Sequence, residues 1–243
     1  MLLTEWKPEA EIRRALGDSK RVVVLSCAVC ANLCGTGGAR GLKRARRMLA
    51  GWGIRTVRGR EVLPCCSEKV MREAVARYVS PKRCDALVIL ACAGGIKAAH
   101  LAAPGVPIVG ALNSLGSGVI SDSDDPVATG VCSGCGHCVL THTAGICPVH
   151  ACPQKRMYGP CKKAPDQPGP CAVREDLPCA WAIIRARGGD MEALAWLASF
   201  HKTGEPPACP PAATRPALRM ARRATVRAMA RAHRSGWFIR LIR

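Results

Sequence analysis

Eight cysteines fall within the 48 residues from Cys132 to Cys179, and no other feature limits the fold of this chain as tightly. They run Cys132-x2-Cys135-x2-Cys138, then Cys147-Pro148, Cys152-Pro153, Cys161, Cys171 and Cys179. Two-residue gaps let a tight turn aim successive thiolates at one centre while backbone N–H groups point at the sulfurs. Three such thiolates followed by Cys-Pro is the pattern of bacterial ferredoxin loops. Here eight residues separate Cys138 from Cys147, where the ferredoxin run has about three, so the match is partial. Eight thiolates suffice for two four-ligand sites, either two [4Fe-4S] clusters or one cluster and one zinc.

Two other uses of the cysteines compete with this one. Disulfides need an oxidising compartment, and the amino terminus, MLLTEWKPEAEIRRALGDSK, has neither an apolar h-region nor a cleavage signature. A structural zinc module is the stronger alternative. Residues 126–180 are rich in Gly, Pro and Cys without strongly periodic apolar runs, and zinc supplies about 10–16 kcal/mol to segments that lack a core. The close triple Cys132, Cys135, Cys138 favours iron, because most zinc sites use paired knuckles.

The chain has 16 cysteines in 243 residues, and with no secretory signal they point to a reducing cytoplasm and metal ligation. Hydrophobic residues make up 49%, with two Phe and two Tyr, so the expected interior is aliphatic. No apolar run approaches the roughly 18 residues of a membrane span. The formal charge of +19 counts every cysteine as neutral and is uneven: from His201 onward there are ten Lys or Arg against one Glu.

In chain order, PEAEIRRALG reads as a helix entered at Pro8, and RVVVLS (21–26) as a buried parallel strand. LKRARRMLAGWG is helical, IRTVRG a second strand, and SEKVMREAVARYV a helix begun by Ser67. DALVILA is a third strand, GIKAAHLA a helix and PIVGAL a fourth strand. The alternation predicts an α/β fold: an open, parallel-sheet, three-layer N-terminal domain over 1–125. A small cysteine-rich metal-cluster domain follows over 126–188, then a helix, Pro-rich linker and basic helical tail over 189–243.

The remaining cysteines sit at strand ends. Cys27 ends the first strand, with Cys30 and Cys34 in the loop behind it; Cys65 and Cys66 follow the second, and Cys92 ends the third. Ligands of open parallel sheets bind beyond the carboxyl ends of the strands, so Cys27, Cys30, Cys34, Cys66 and Cys92 are candidate ligands of a third metal site, with iron-sulfur favoured. Cys84 reads as an ordinary buried thiol. Gly35-x-Gly37 offers a nucleotide alternative, but Arg40 occupies the third glycine position of that fingerprint.

The segments KPEAEI, VVVLSCAVCANLCGTGG, LVILACAGG, PIVGALNSLGSG, CSGCGHCVLTHTAGICPVHACPQKRMYGPC and LPCAWAII resemble the MetV family. That family is the small iron-sulfur or zinc subunit of acetogen-type methylenetetrahydrofolate reductase, and the likeness spans residues 7–188. It implies an accessory, electron-transferring subunit, docked on a flavin-containing (FMN or FAD) barrel subunit that reduces methylenetetrahydrofolate, with further electron-transfer subunits as additional partners. A barrel of that kind takes about 250 residues, too many to fit beside the two domains read here. One departure is local: Lys162 and Lys163 follow Cys161, where the family has Gly-Gly.

Ferredoxin logic then divides the ligands. Cys132, Cys135 and Cys138 share one centre with Cys179, while Cys147, Cys152, Cys161 and Cys171 hold the other. His137, His142 and His150 are alternative ligands if one C-terminal site holds zinc. The expected cofactors are two to three [4Fe-4S] sites, with zinc as the option in one. Arg219, Arg222, Arg223, Arg227, Arg231 and Arg234 share about half a helical circumference, which suits docking to an acidic protein or an anionic membrane surface; nucleic acid is a weaker fit. Cys209 has no assigned role. Two other readings stand beside the reductase subunit: an iron-sulfur adaptor of a different oxidoreductase, and a zinc-stabilised scaffold or nucleic-acid-binding protein.

Overall fold

Val22, Val23, Val24 and Leu25 have no exposed surface, which an unbroken apolar run requires when a strand is covered on both faces. In the computed structural model, which describes residues 3–115 and 132–201, this strand is β2 (Arg21–Cys27) at the heart of a parallel sheet. Before it come β1 (Thr4–Trp6) and α1 (Glu9–Leu16). After it come α2 (Cys30–Leu33), α3 (Gly38–Gly51), β3 (Arg55–Val62), α4 (Glu68–Tyr78) and β4 (Ala86–Leu90). Then follow α5 (Ala93–Leu101), β5 (Ile108–Gly110) and β6 (Leu112–Ser114).

The sheet order is β3-β2-β4-β5, all parallel. The chain leaves β2 for one edge and returns past it to β4, so the order reverses between these two strands. Right-handed crossovers put α3 on the face opposite α4 and α5, and α4 packs on α5. β4 is buried along its whole length, whereas β3 exposes Arg55, Arg58, Arg60 and Glu61. Charge on an edge strand opposes pairing with another chain. The four strands and the main helices match the alternation in the sequence.

Two short elements were not expected. Ala111 interrupts the predicted strand PIVGAL, and β6 beyond it pairs antiparallel with β1. This ties the start of the chain to the segment that leads into the cysteines.

The second part contains α6 (Pro148–Ala151), a ribbon of β7 (Pro170–Cys171) with β8 (Arg174–Pro178), then α7 (Ala180–Ala186) and α8 (Met191–Phe200). The cysteine-rich stretch, read as having little core of its own, packs with the helices that follow it. Val139, Ile146, Met157, Trp181, Ile184, Leu194 and Leu197 form a second apolar cluster, with Trp181 Nε1 donating to the Arg156 carbonyl at 3.2 Å. Much of that core comes from α7 and α8, outside the stretch that the composition singled out. The Pro-rich linker, the basic tail and Cys209 lie outside the described residues.

Candidate metal centres

The carboxyl ends of β2 and β4 flank the point where strand order reverses, the place where open α/β sheets bind ligands. Cys27 is the last residue of β2, Cys30 opens α2, and Cys92 is the N-cap of α5 just after β4. Cys65 and Cys66 follow β3. Cys27 accepts hydrogen bonds from the Cys65 thiol and from the backbone around Val29 and Ala31, which hold its thiol below the ordinary range. The same bond to Cys27, together with complete burial, pushes Cys65 well up. Cys66 is raised to about 11, first by burial and then by Cys27 and Cys30.

Sulfurs from three loops are thus within electrostatic reach of one another. Cys65, which the sequence reading did not choose as a ligand, is the one bonded to Cys27; in an adjacent Cys-Cys pair nothing in sequence tells which points inward. Cys34 stands at the other end of α2 as its C-cap. Cys84 is fully buried before the start of β4, at the opposite end of the sheet, with its thiol on the Ser80 carbonyl at 3.4 Å.

A second group lines a pocket between α5 and the cysteine-rich segment. Its walls include Cys132, Cys135, Cys138 and Cys147, with Lys97 of α5, Ser114 and His137. The Cys132–Cys138 turn depends on glycine: Gly134 and Gly136 have φ of +74° and +79°, a region that side chains with a Cβ disfavour. With this turn the Gly134 N–H points at Cys132 Sγ, 3.4 Å away. The turn is pinned to the sheet domain at three places. Gly136 N–H donates to the Ser114 carbonyl at 3.3 Å, Cys138 N–H to Asn113 Oδ1 at 3.1 Å, and buried Lys7 to the Cys138 carbonyl.

Cys147 reaches the pocket as the N-cap of α6, with Pro148 in the first turn. Val139, Leu140 and Ile146 bury themselves in the intervening loop and fold the long spacer back. The grouping read from sequence is therefore changed: Cys147, and not Cys179, stands with the triple. Cys179 lies in the second apolar cluster with Cys152 and Cys171, directly after β8 and bonded through its N–H to the Gly169 carbonyl at 2.8 Å. Cys161 is half-buried, and Lys162 and Lys163 beside it are exposed.

Burial dominates the titration of the pocket thiols. It raises Cys135 to about 11 and Cys138 to about 12, and it raises Cys147 as well. A cation entering must displace those protons, so its affinity rises with pH. Lys97 is pushed down by burial, against the opposing influence of Cys147, Cys132 and Cys138.

Of the three histidines, His137 lines the pocket, and His142 and His150 do not. The His137 ring packs edge-on against His201 at 4.6 Å, and His201 Nε2 lies 3.5 Å from Glu11. His142 Nδ1 lies 3.9 Å from Asp190, and His150 is exposed.

Among the described residues, no three Cys, His, Asp or Glu side chains converge at the spacing a metal ion requires as they stand. The fit to a metal therefore rests on the donor set and its setting. Soft thiols, Cys138 buried and Cys132, Cys135 and Cys147 part-buried, share a pocket, a backbone N–H is aimed at one sulfur, and the Lys97 side chain lines the same pocket. That set suits iron-sulfur or zinc chemistry.

Residues 111–205 match the family model described as Methylene-tetrahydrofolate reductase C terminal. The match to the methylene-tetrahydrofolate reductase C-terminal family starts at the break between β5 and β6 and runs past α8. It takes in all four pocket cysteines and the group from Cys152 to Cys179, and it leaves the strand-end cysteines outside. No curated protein and no solved structure matches the chain. No helix among the described residues is long and apolar enough to cross a membrane.

Proposed function

We propose that this protein is a MetV-type accessory subunit of a methylenetetrahydrofolate reductase complex, carrying iron-sulfur clusters and relaying electrons to or from a flavin-bearing catalytic subunit. The observation that carries the reading is the gathering of Cys132, Cys135, Cys138 and Cys147 around one part-buried pocket, inside the span that matches the reductase family model. In this reading those four cysteines hold one [4Fe-4S] cluster. Cys152, Cys161, Cys171 and Cys179 hold a second cluster or a zinc. A third site at the sheet ends draws on Cys27, Cys30, Cys65, Cys66 and Cys92.

Bound there, iron-sulfur clusters supply one-electron transfer at a potential set by hydrogen bonds, net charge and burial. The chain's own part is to fix those settings. The Gly134 N–H faces a ligand sulfur, Asn113 and Lys7 hold the backbone of Cys138 in place, and Leu140 and Val139 keep water from the inner wall.

The test is anaerobic preparation of the full chain with analysis of iron, sulfide and zinc and a visible spectrum. Two or more four-iron equivalents are expected, and Cys147→Ser removes one of them. Zinc without iron overturns the relay and leaves a structural metal protein. Co-purification with a flavoprotein and a folate-dependent assay on that complex separate the reductase subunit from an adaptor of another oxidoreductase.

A further inference from the structure

The edge of the sheet at β3 carries charge of one sign from two neighbouring elements. Across residues 38–62 there are eight Lys or Arg and a single acid, Glu61. Arg40, Lys43, Arg44, Arg46 and Arg47 are exposed on α3, and Arg55, Arg58 and Arg60 on β3. None of them takes part in an ion pair among the described residues. On α3, Arg40 and Arg44, and again Lys43 and Arg47, stand four residues apart, a spacing at which like charges destabilise a helix. Solubility alone is served by mixed signs, as on α4, where Glu68 pairs with Arg72.

The cations lie on both sides of the strand. A Cβ on Gly59 would come within 2.8 Å of an Arg46 guanidinium nitrogen, so Arg46 lies over β3 from the α3 side. The Arg60 guanidinium stands 5.7 Å from the ring of Tyr78 in α4, on the opposite side. Between them runs a strand that, among the described residues, pairs only with β2, and the outer N–H and C=O groups of such an edge can take a further strand. Positive charge on both sides turns away another copy of this edge and attracts a segment that bears carboxylates. A bilayer is flat and reaches one side alone. Single-stranded RNA calls for aromatic faces on which bases stack, and here cations already cover the neighbouring rings: Arg44 lies over Trp6 at 4.6 Å, and Arg60 over Tyr78.

We propose that the β3 edge is a docking site for an extended, acidic segment of a partner protein, which adds a strand to the sheet while its carboxylates meet Arg46, Arg55, Arg58 and Arg60. Backbone hydrogen bonds supply affinity in this mode of recognition, and the guanidinium forks, which match carboxylate geometry, select the segment. β3 ends at Val62, just before Cys65, so a segment held there brings its protein beside the strand-end cysteines. The inference needs neither a metal at those cysteines nor electron transfer.

The experiment uses the full chain and a synthetic peptide of alternating Glu and Thr, at about 0.15 M salt. A second peptide of equal charge has proline in place of the threonines, which removes N–H groups that an added strand must donate. The first peptide is expected to bind and to slow amide hydrogen exchange in β3, and the second to bind far more weakly. Arg55→Gln, Arg58→Gln and Arg60→Gln combined should raise Kd about tenfold or more. The same number of cations removed from the tail, by Arg222→Gln, Arg223→Gln and Arg227→Gln, should change it little.

Equal binding of the two peptides, or equal loss in the two variants, reduces the effect to diffuse charge and overturns the proposal. Binding that leaves exchange in β3 unchanged places the peptide elsewhere and overturns it as well, a result read on the wild-type chain without any variant. No binding at this salt makes β3 a solvated edge and overturns it. Oligouridylate that protects β3 more strongly than the acidic peptide makes the edge a nucleic-acid surface instead.

Discussion

Asp85 shows at the scale of one residue how the sheet is closed at the end away from the strand-end cysteines. Its carboxylate accepts from the backbone N–H groups of Lys20 at 3.0 Å and Arg21 at 2.8 Å, and from the Arg21 guanidinium at 2.8 Å. The guanidinium bond first, then the two N–H groups, hold its carboxyl below the usual aspartate value. A depressed folded-state pKa stabilises the protein above the unfolded value, about 3.9 for Asp, and the contribution is lost as pH falls through the folded value. Because both partners are part-exposed, solvent screening keeps the effect modest. Asp85→Asn should therefore be less stable than wild type at neutral pH, and the gap should close as pH drops below the aspartate range. Urea denaturation at a series of pH values checks this, and a gap that widens toward acid would contradict it.

At the scale of elements, α5 comes close to the Cys65 loop because Gly95 has no side chain. A Cβ there would meet Ala91 Cβ at 2.5 Å and Cys65 Cβ at 3.0 Å. Two effects of Gly95→Ala compete. Helix propensity favours alanine by about 1 kcal/mol, and overpacking a buried contact costs about 1–3 kcal/mol. Neither neighbouring atom is the tip of a flexible side chain, so the steric cost wins, and net destabilisation of up to about 2 kcal/mol is expected in chemical denaturation. A more stable variant would show that α5 can move.

Which elements could be read from sequence follows the same physics. β2 and β4 were legible because strands covered on both faces must be continuously apolar, and the helix expected at the start of 189–243 is α8, opened by Asp190, whose Oδ1 accepts from Ala193 N–H at 2.8 Å. β1 and β6 were not, since three-residue strands are specified by their partner and not by their own pattern. The strand-end cysteines could be placed from the strands alone. The union of Cys147 with the triple could not, because it depends on Val139, Leu140 and Ile146 packing inward across a loop with no period. The burial of Lys97, a single cation in GIKAAHLA, has no signal in the sequence, because it follows from the packing of the whole helix around it.

The molecule as a whole has two apolar centres of unequal strength. Strands β2 and β4 are sealed within the first, with the sheet's own ladders to hold them. The second is built from the short helices α7 and α8 and a two-stranded ribbon, and three of its buried members are Cys152, Cys171 and Cys179. A ribbon and short helices supply little cooperative stability by themselves. The parts meet through a few bonds, among them the Gly110 N–H to Thr141 Oγ1 at 3.0 Å and the Cys138 N–H to Asn113. A metal bound by the folded cysteine-rich part alone, as proposed above, would add about 2.7 kcal/mol at a hundred times its dissociation constant, and this would fall on the weaker centre. Stripping the metal with a chelator should therefore speed amide hydrogen exchange across residues 132–201, while β2 and β4 keep their protection. Mass-spectrometric exchange on loaded and stripped protein tests it. Equal loss of protection in both parts would mean that the two centres unfold as one unit, and no change in either would mean that the cysteines hold nothing the fold requires.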